Sequence, residues 1–224
     1  MKLSRRRMNQ WILSAAALPA VSAVALPARA EQGKEPEAGR DFLVLKPPQP
    51  VETGNRIAVL DFFQYSCPHC FHFLPELQAW KKRLPADVEY VYSPVVFNEQ
   101  TTPHAKILYA LDALKKLEDL HTKVFTTIQV QRRMLLDPND IADFMASQGI
   151  DRAQWLATFN SFTVATKVNK AGQVWRAYQI DGTPTLGCDG KYTTSPAMVN
   201  SATGSLQVMD YLIDRSRKER AHKG

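Results

Sequence analysis

The chain of 224 residues carries only three cysteines, which excludes a fold held together by disulfide staples. Cys67 and Cys70 stand too close in sequence to join distant parts of a fold, and Cys188 is left over. A structural zinc site lacks its second half. Cys67, His69, Cys70 and His72 form one cluster, whereas a tetrahedral site draws on a second ligand pair with its own spacing. An excess of one charge is missing too. Beyond residue 30 the chain has 23 bases against 22 acids, so net charge gives no reason to expect a nucleic-acid partner. No internal repeat, low-complexity tract or second membrane-length apolar stretch is present.

The first thirty residues read as a secretory signal peptide. Arg5-Arg6-Arg7 is a basic start, Trp11 to Val24 is apolar but short for a bilayer span, and Ala28-Arg29-Ala30 is a cleavage pattern. The mature chain is therefore expected to begin at Glu31, without a stable membrane insertion. Met8-Asn9-Gln10 fits a twin-arginine signal poorly, so ordinary secretion is expected. Residues 31–224 are enough for a single domain with a real core and an insertion.

Along that chain, Lys46-Pro47-Pro48-Gln49-Pro50 marks an extended lead-in, with at most a short strand at Phe42 to Leu45. The continuous apolar run from Ile57 predicts a buried strand to Gln64. Pro68 suits the first turn of a helix, and Phe71, Leu74, Leu77 and Trp80 give that helix one apolar face. Val88 to Val96 predicts a second strand. From about 99 to 178 the pattern is helical. Ile107, Leu108, Leu111, Leu114 and Leu117 mark one helix, and Asp137, Asp151 and Ser161 are placed to open others. Thr185 to Cys188 and Lys191 to Thr193 flank Asp189-Gly190, a hairpin turn. Ser195 to Gly204 reads as a polar loop before a closing helix. The order predicts an α/β, thioredoxin-like sheet with an all-helical subdomain inserted between its halves.

Cys67-Pro68-His69-Cys70 follows the first long strand and opens the helix, the geometry of a thiol–disulfide site. One helical turn separates the sulfurs, so a disulfide can form between them. Cys67, at the helix start, meets free backbone amides and the positive end of the helix dipole. His69 adds a donor. These lower the Cys67 pKa and make it the attacking thiol, while the deeper Cys70 resolves the mixed disulfide. Cys188 shares a strand face with Leu186 and is expected as a buried core thiol.

The run Phe62 to Cys70, the helical insertion, and Gly182-Thr183-Pro184-Thr185 ahead of Asp189-Gly190-Lys191-Tyr192 resemble the DsbA family of bacterial disulfide oxidases. The resemblance covers essentially all of residues 31–224. It implies a periplasmic, monomeric enzyme of a Gram-negative bacterium that needs no cofactor beyond its own disulfide. It implies donation of that disulfide to reduced, unfolded exported proteins and reoxidation by a DsbB-like inner-membrane quinone reductase. It also implies a cis Pro184 against the disulfide and a Thr183 backbone free to pair with substrate. Asp61 matches the family's buried acid, a proton acceptor for Cys70. Two departures stand out. Where some relatives pair this acid with a lysine, Val91-Tyr92-Ser93-Pro94 offers Tyr92, and Thr183 replaces an apolar residue. The rival readings are a disulfide isomerase or reductase, or a redox-inert chaperone on the same fold. The segment before Ile57 is too short for the dimerisation module of isomerase relatives.

A thiolate stabilised at Cys67 favours the reduced protein over the oxidised one. Thermal melts at neutral pH should therefore show the reduced form unfolding at the higher temperature; the opposite order would remove the basis for an oxidising dithiol.

Overall fold

The computed structural model describes residues 35–222, so the expected signal peptide lies outside the described residues. Seven residues of continuous apolar character form β2 (Ile57–Phe63), which is buried along its whole length. It is buried because it lies inside a five-stranded sheet, parallel to β3 (Val88–Pro94) and antiparallel to β4 (Thr185–Cys188). β5 (Tyr192–Thr194) pairs with β4, and β1 (Leu43–Val44) with β5, giving the order β1-β5-β4-β2-β3. The β4–β5 hairpin turns on Asp189 and Gly190, both with positive φ, 51° and 70°. A Cβ on Gly190 would lie 1.9 Å from the Gln49 carbonyl oxygen, so only glycine fits there.

Between β2 and β3 runs α1 (Pro68–Lys81). It packs with the closing helix, α8 (Ala202–Ala221), on one face of the sheet. Phe73, Leu77 and Trp80 meet Leu206, Met209 and Leu212 over Val59 and Leu186. The opposite face takes Ala58, Leu60 and Phe62, which meet Tyr178 and Ile180 just after α6 (Phe162–Ala177). The helical block inserted between β3 and β4 comprises α2 (Thr102–Ala113), α3 (Leu117–Gln129), α4 (Pro138–Ser147), α5 (Arg152–Phe159) and α6, with a core of its own that Phe63, Tyr65, Cys70 and Leu74 join. Asp137, Asp151 and Ser161 cap α4, α5 and α6 by accepting backbone amides, as expected.

Two expectations fail locally. The apolar spacing carries one helix through Leu114 to Leu117, but α2 ends at Ala113 and Lys115 turns the chain with φ 55°, so that Leu117 opens α3. The stretch from Ser195 to Gly204 is not a loop throughout. It holds α7 (Pro196–Val199) and the start of α8, because the Ser195 and Ser201 hydroxyls cap them by accepting the Met198 and Gly204 amides.

Gly187 sits where β4 passes under Tyr178; an added Cβ would lie 2.8 Å from the Tyr178 ring and 3.0 Å from Phe62. Gly187→Ala should cost about 1–3 kcal/mol of stability through overpacking, read as a lower urea midpoint at unchanged slope.

Candidate active site at the start of α1

The sheet delivers the chain to α1 through the short turn after Phe63. Cys67 is the N-cap residue, with extended backbone (φ −85°, ψ 115°), and its sulfur takes the place of a capping oxygen by accepting the Cys70 amide at 3.4 Å. Pro68 occupies the first helical turn, where its missing N–H is no loss. Across the site, the Cys67 thiol lies 3.3 Å from the Thr183 carbonyl and donates to it. The Thr183–Pro184 peptide bond is cis. Thr183 is half-buried and Pro184 buried.

The two thiols have opposite surroundings. The Cys70 thiol, which donates to the Cys67 sulfur, does most to hold the Cys67 pKa down, to about 5 from an ordinary 9.0; burial opposes it, and the Thr183 side chain and the Cys70 and His69 amides add to the lowering. Cys70 is 4 % exposed. Burial above all, then its neighbour's sulfur, pushes its thiol far up, so it stays protonated. His69 and Pro68 lie at the surface of the first turn, and His72 is exposed on the next.

Asp61 lies beneath. On β2 the residues Ile57 and Val59 face α1, and Asp61 falls on the same parity. It is 2 % exposed. Burial lifts its pKa to about 7, against the opposing pull of the Tyr90 hydroxyl and Lys81. The partner of Asp61 is Tyr90 and not the expected Tyr92. Tyr92 is the register neighbour of Asp61, but the Tyr90 hydroxyl donates to Asp61 Oδ2 at 2.7 Å. Tyr92 is engaged elsewhere: Lys81 Nζ donates to its hydroxyl at 3.2 Å and lies 4.6 Å over its ring. A lysine therefore does stand near the acid, supplied by α1 and not by β3. Lys81 also pairs with Glu118 of α3 at 2.6 Å. It follows Cys70 by eleven residues, about three helical turns, which puts both on one face of α1. That periodicity was the available signal for it.

Tyr65 and His121 were missed as well. They meet at 2.8 Å between the Tyr65 hydroxyl and His121 Nδ1, deep beside Cys70 in the core of the helical block. No sequence signal brings together residues 56 positions apart. Cys188 is fully buried, as expected. Its sulfur lies 3.6 Å from the Ser216 hydroxyl, and burial pushes its pKa up to about 12. Among the described residues no group of three or more His, Cys, Asp or Glu is placed to hold a metal ion, and no helix is long and apolar enough to cross a membrane.

The arrangement is that of a reduced dithiol with one ionisable and one protonated sulfur, all three cysteines being free. Comparison with known proteins agrees. The model of the DSBA-like thioredoxin domain matches residues 58–207. The thiol:disulfide interchange protein DsbA of Bordetella parapertussis is 41% identical over 208 residues, covering 92% of this chain and 96% of that protein. Its namesake from Burkholderia cepacia is 40% identical over 179 residues, 80% of this chain and 84% of that one. Among solved structures, Pseudomonas aeruginosa DsbA superposes with a TM-score of 0.80 at 34% identity, covering 83% of this chain and 96% of that one. The shared fold, the Cys67–Cys70 dithiol and this breadth of similarity place the chain in the DsbA family, as a thioredoxin-like thiol:disulfide oxidoreductase.

Proposed function

We propose that this protein is a periplasmic dithiol oxidase that donates its Cys67–Cys70 disulfide to reduced, unfolded exported proteins. The observation that carries the direction is the contrast between the two sulfurs. Cys67 is held down to about 5, so a reduced site keeps a thiolate that is a poor reductant and a good leaving group. A substrate thiolate attacks Cys67 Sγ, the disulfide breaks, and Cys70 leaves as a thiolate that must take up a proton. A second substrate thiol then attacks the substrate half of the mixed disulfide, and Cys67 departs as the stable anion.

Asp61, with a pKa near neutrality, is suited to store the proton that Cys70 takes and returns. Pro184 closes the floor beside the sulfurs. The Thr183 backbone offers an edge to an extended substrate, much as it receives the Cys67 thiol in the reduced protein. Pro68 and His69 shape the exposed rim, where a membrane partner or substrate makes first contact. Reoxidation falls to a DsbB-like inner-membrane quinone reductase. The protein acts as a monomer and needs no cofactor beyond its own disulfide.

Two measurements test this. Equilibration in graded glutathione buffers, followed by tryptophan fluorescence, should give a reduction potential well above that of thioredoxin. A value near thioredoxin's would replace the oxidase with a reductase or isomerase. Thiolate absorbance of the reduced protein should titrate near pH 5 and vanish in Cys67→Ser. Because the folded pKa is depressed, the stabilisation is complete above the unfolded value near 9 and is lost as pH falls through 5. The gap in melting temperature between reduced and oxidised forms should therefore widen from pH 5 toward pH 9; a constant gap would show that Cys67 ionisation does not set it.

A further inference from the structure

Three polar groups converge on one small cavity beneath the dithiol. Asp61, Cys70, His121 and Pro184 line it, and the rest of its wall is apolar. Its volume is about 10 Å³, near the room that a single water requires. Two of these groups bury polar atoms that no protein group satisfies, Asp61 Oδ1 and His121 Nε2. Asp61 is 2 % exposed and His121 1 %. Folded proteins rarely leave such atoms unpaired, and a bridging water is the usual remedy.

Tyr65 decides which proton His121 carries. Its hydroxyl is buried and meets His121 Nδ1 at 2.8 Å. Among the described residues it has no second acceptor for its O–H, so it donates to Nδ1 and leaves the ring's own N–H on Nε2. Burial, with Lys81 nearby, pushes the imidazole pKa down to about 3, so the ring is neutral at working pH. The rings of Phe63 and Phe125, each 5.2 Å away, and of Tyr92 at 4.6 Å fix its plane. The ionisable groups around it are Tyr65 before α1, Cys70 and Lys81 on α1, Asp61 on β2, Tyr92 on β3, and Glu118 of its own helix, which holds Lys81.

We propose that His121 is a positioning residue: its Nε2–H binds one water in this cavity and leaves that water's remaining hydrogen bonds for Asp61 Oδ1 and Cys70 Sγ. The inference rests on the reading of Asp61 as the proton store for Cys70. When a substrate thiolate attacks Cys67, the Cys67–Cys70 bond breaks and its electron pair stays on Cys70. The water passes a proton to that sulfur and takes one from protonated Asp61. Reoxidation runs the same transfer backwards. His121 gives up no proton at any stage; being neutral and locked by Tyr65, it orients the water without competing for its charge.

The test follows the Cys70-dependent step directly. The full reduced protein is mixed rapidly with glutathione disulfide between pH 5 and 8, and closure of the Cys67–glutathione mixed disulfide by Cys70 is timed. His121→Leu should slow closure on the order of tenfold at pH 7 and move the pH midpoint of that step. The Cys67 thiolate titration should stay where it is. His121→Gln, which keeps an N–H donor, should recover most of the rate. In an Asp61→Asn background, His121→Leu should add no further loss. Closure at the native rate and midpoint in His121→Leu, with Asp61→Asn slow, would overturn the role of His121 alone. Native closure in Asp61→Asn would instead overturn the reading of Asp61. Equal slowing in His121→Leu and His121→Gln would mark a packing role and overturn the proposal. Should His121→Leu fail to fold, Tyr65→Phe decides: loss of the tautomer lock should shift the closure midpoint, and an unchanged midpoint would refute the relay.

Discussion

A helix start needs partners for its first amides, and here one of those partners is a sulfur. That substitution places Cys67 one turn from Cys70 and beside Thr183. Because Cys67 caps α1, its anion sits among N–H donors that exist whether or not it is charged. Because Cys70 lies one turn on, its thiol can donate to that anion while its own surroundings keep it neutral. Neither effect needs a neighbouring cation. The asymmetry of the pair comes first from the two sulfurs themselves and from the burial of Cys70, with the backbone amides of the helix start adding to it.

The second tier is a carboxyl placed where a sheet would otherwise put an aliphatic side chain. β2 alternates its residues between two cores, and Asp61 takes a slot on the α1 side. Burial there pushes its pKa up. The Tyr90 hydroxyl and Lys81 oppose the burial, and the balance lies at about 7. Lys81 is itself restrained by Glu118 and by the faces of Tyr90 and Tyr92. Held there, the Lys81 ammonium acts on the buried acid through its charge.

The dithiol, the buried strand before it and the proline segment were legible in the sequence because each is local. A Cys-x-x-Cys needs one helical turn, and a parallel strand shows itself as an unbroken apolar run. Periodicity could not see where α2 stops, because Lys115 breaks the chain at a residue with no turn signature. It also treated Ser195 and Ser201 as loop residues when they are caps. At Asp61 the residue opposite in register was the wrong partner: Tyr90, one pair back on the same face, reaches across with a long side chain. His121 was out of reach altogether, since only tertiary packing of α3 against the α1 region brings it to Tyr65.

Cys188 shows what the fold withholds. Three thiols could form three different disulfides, and two of those would leave the active pair unable to turn over. With its sulfur sealed between β4 and Ser216 of α8, Cys188 is out of contact with solvent and has a thiol too reluctant to ionise. A protein that trades disulfides thus keeps its own spare sulfur out of the exchange by depth alone. The same packing of α8 on the sheet that builds the core therefore also guards the enzyme from its own chemistry.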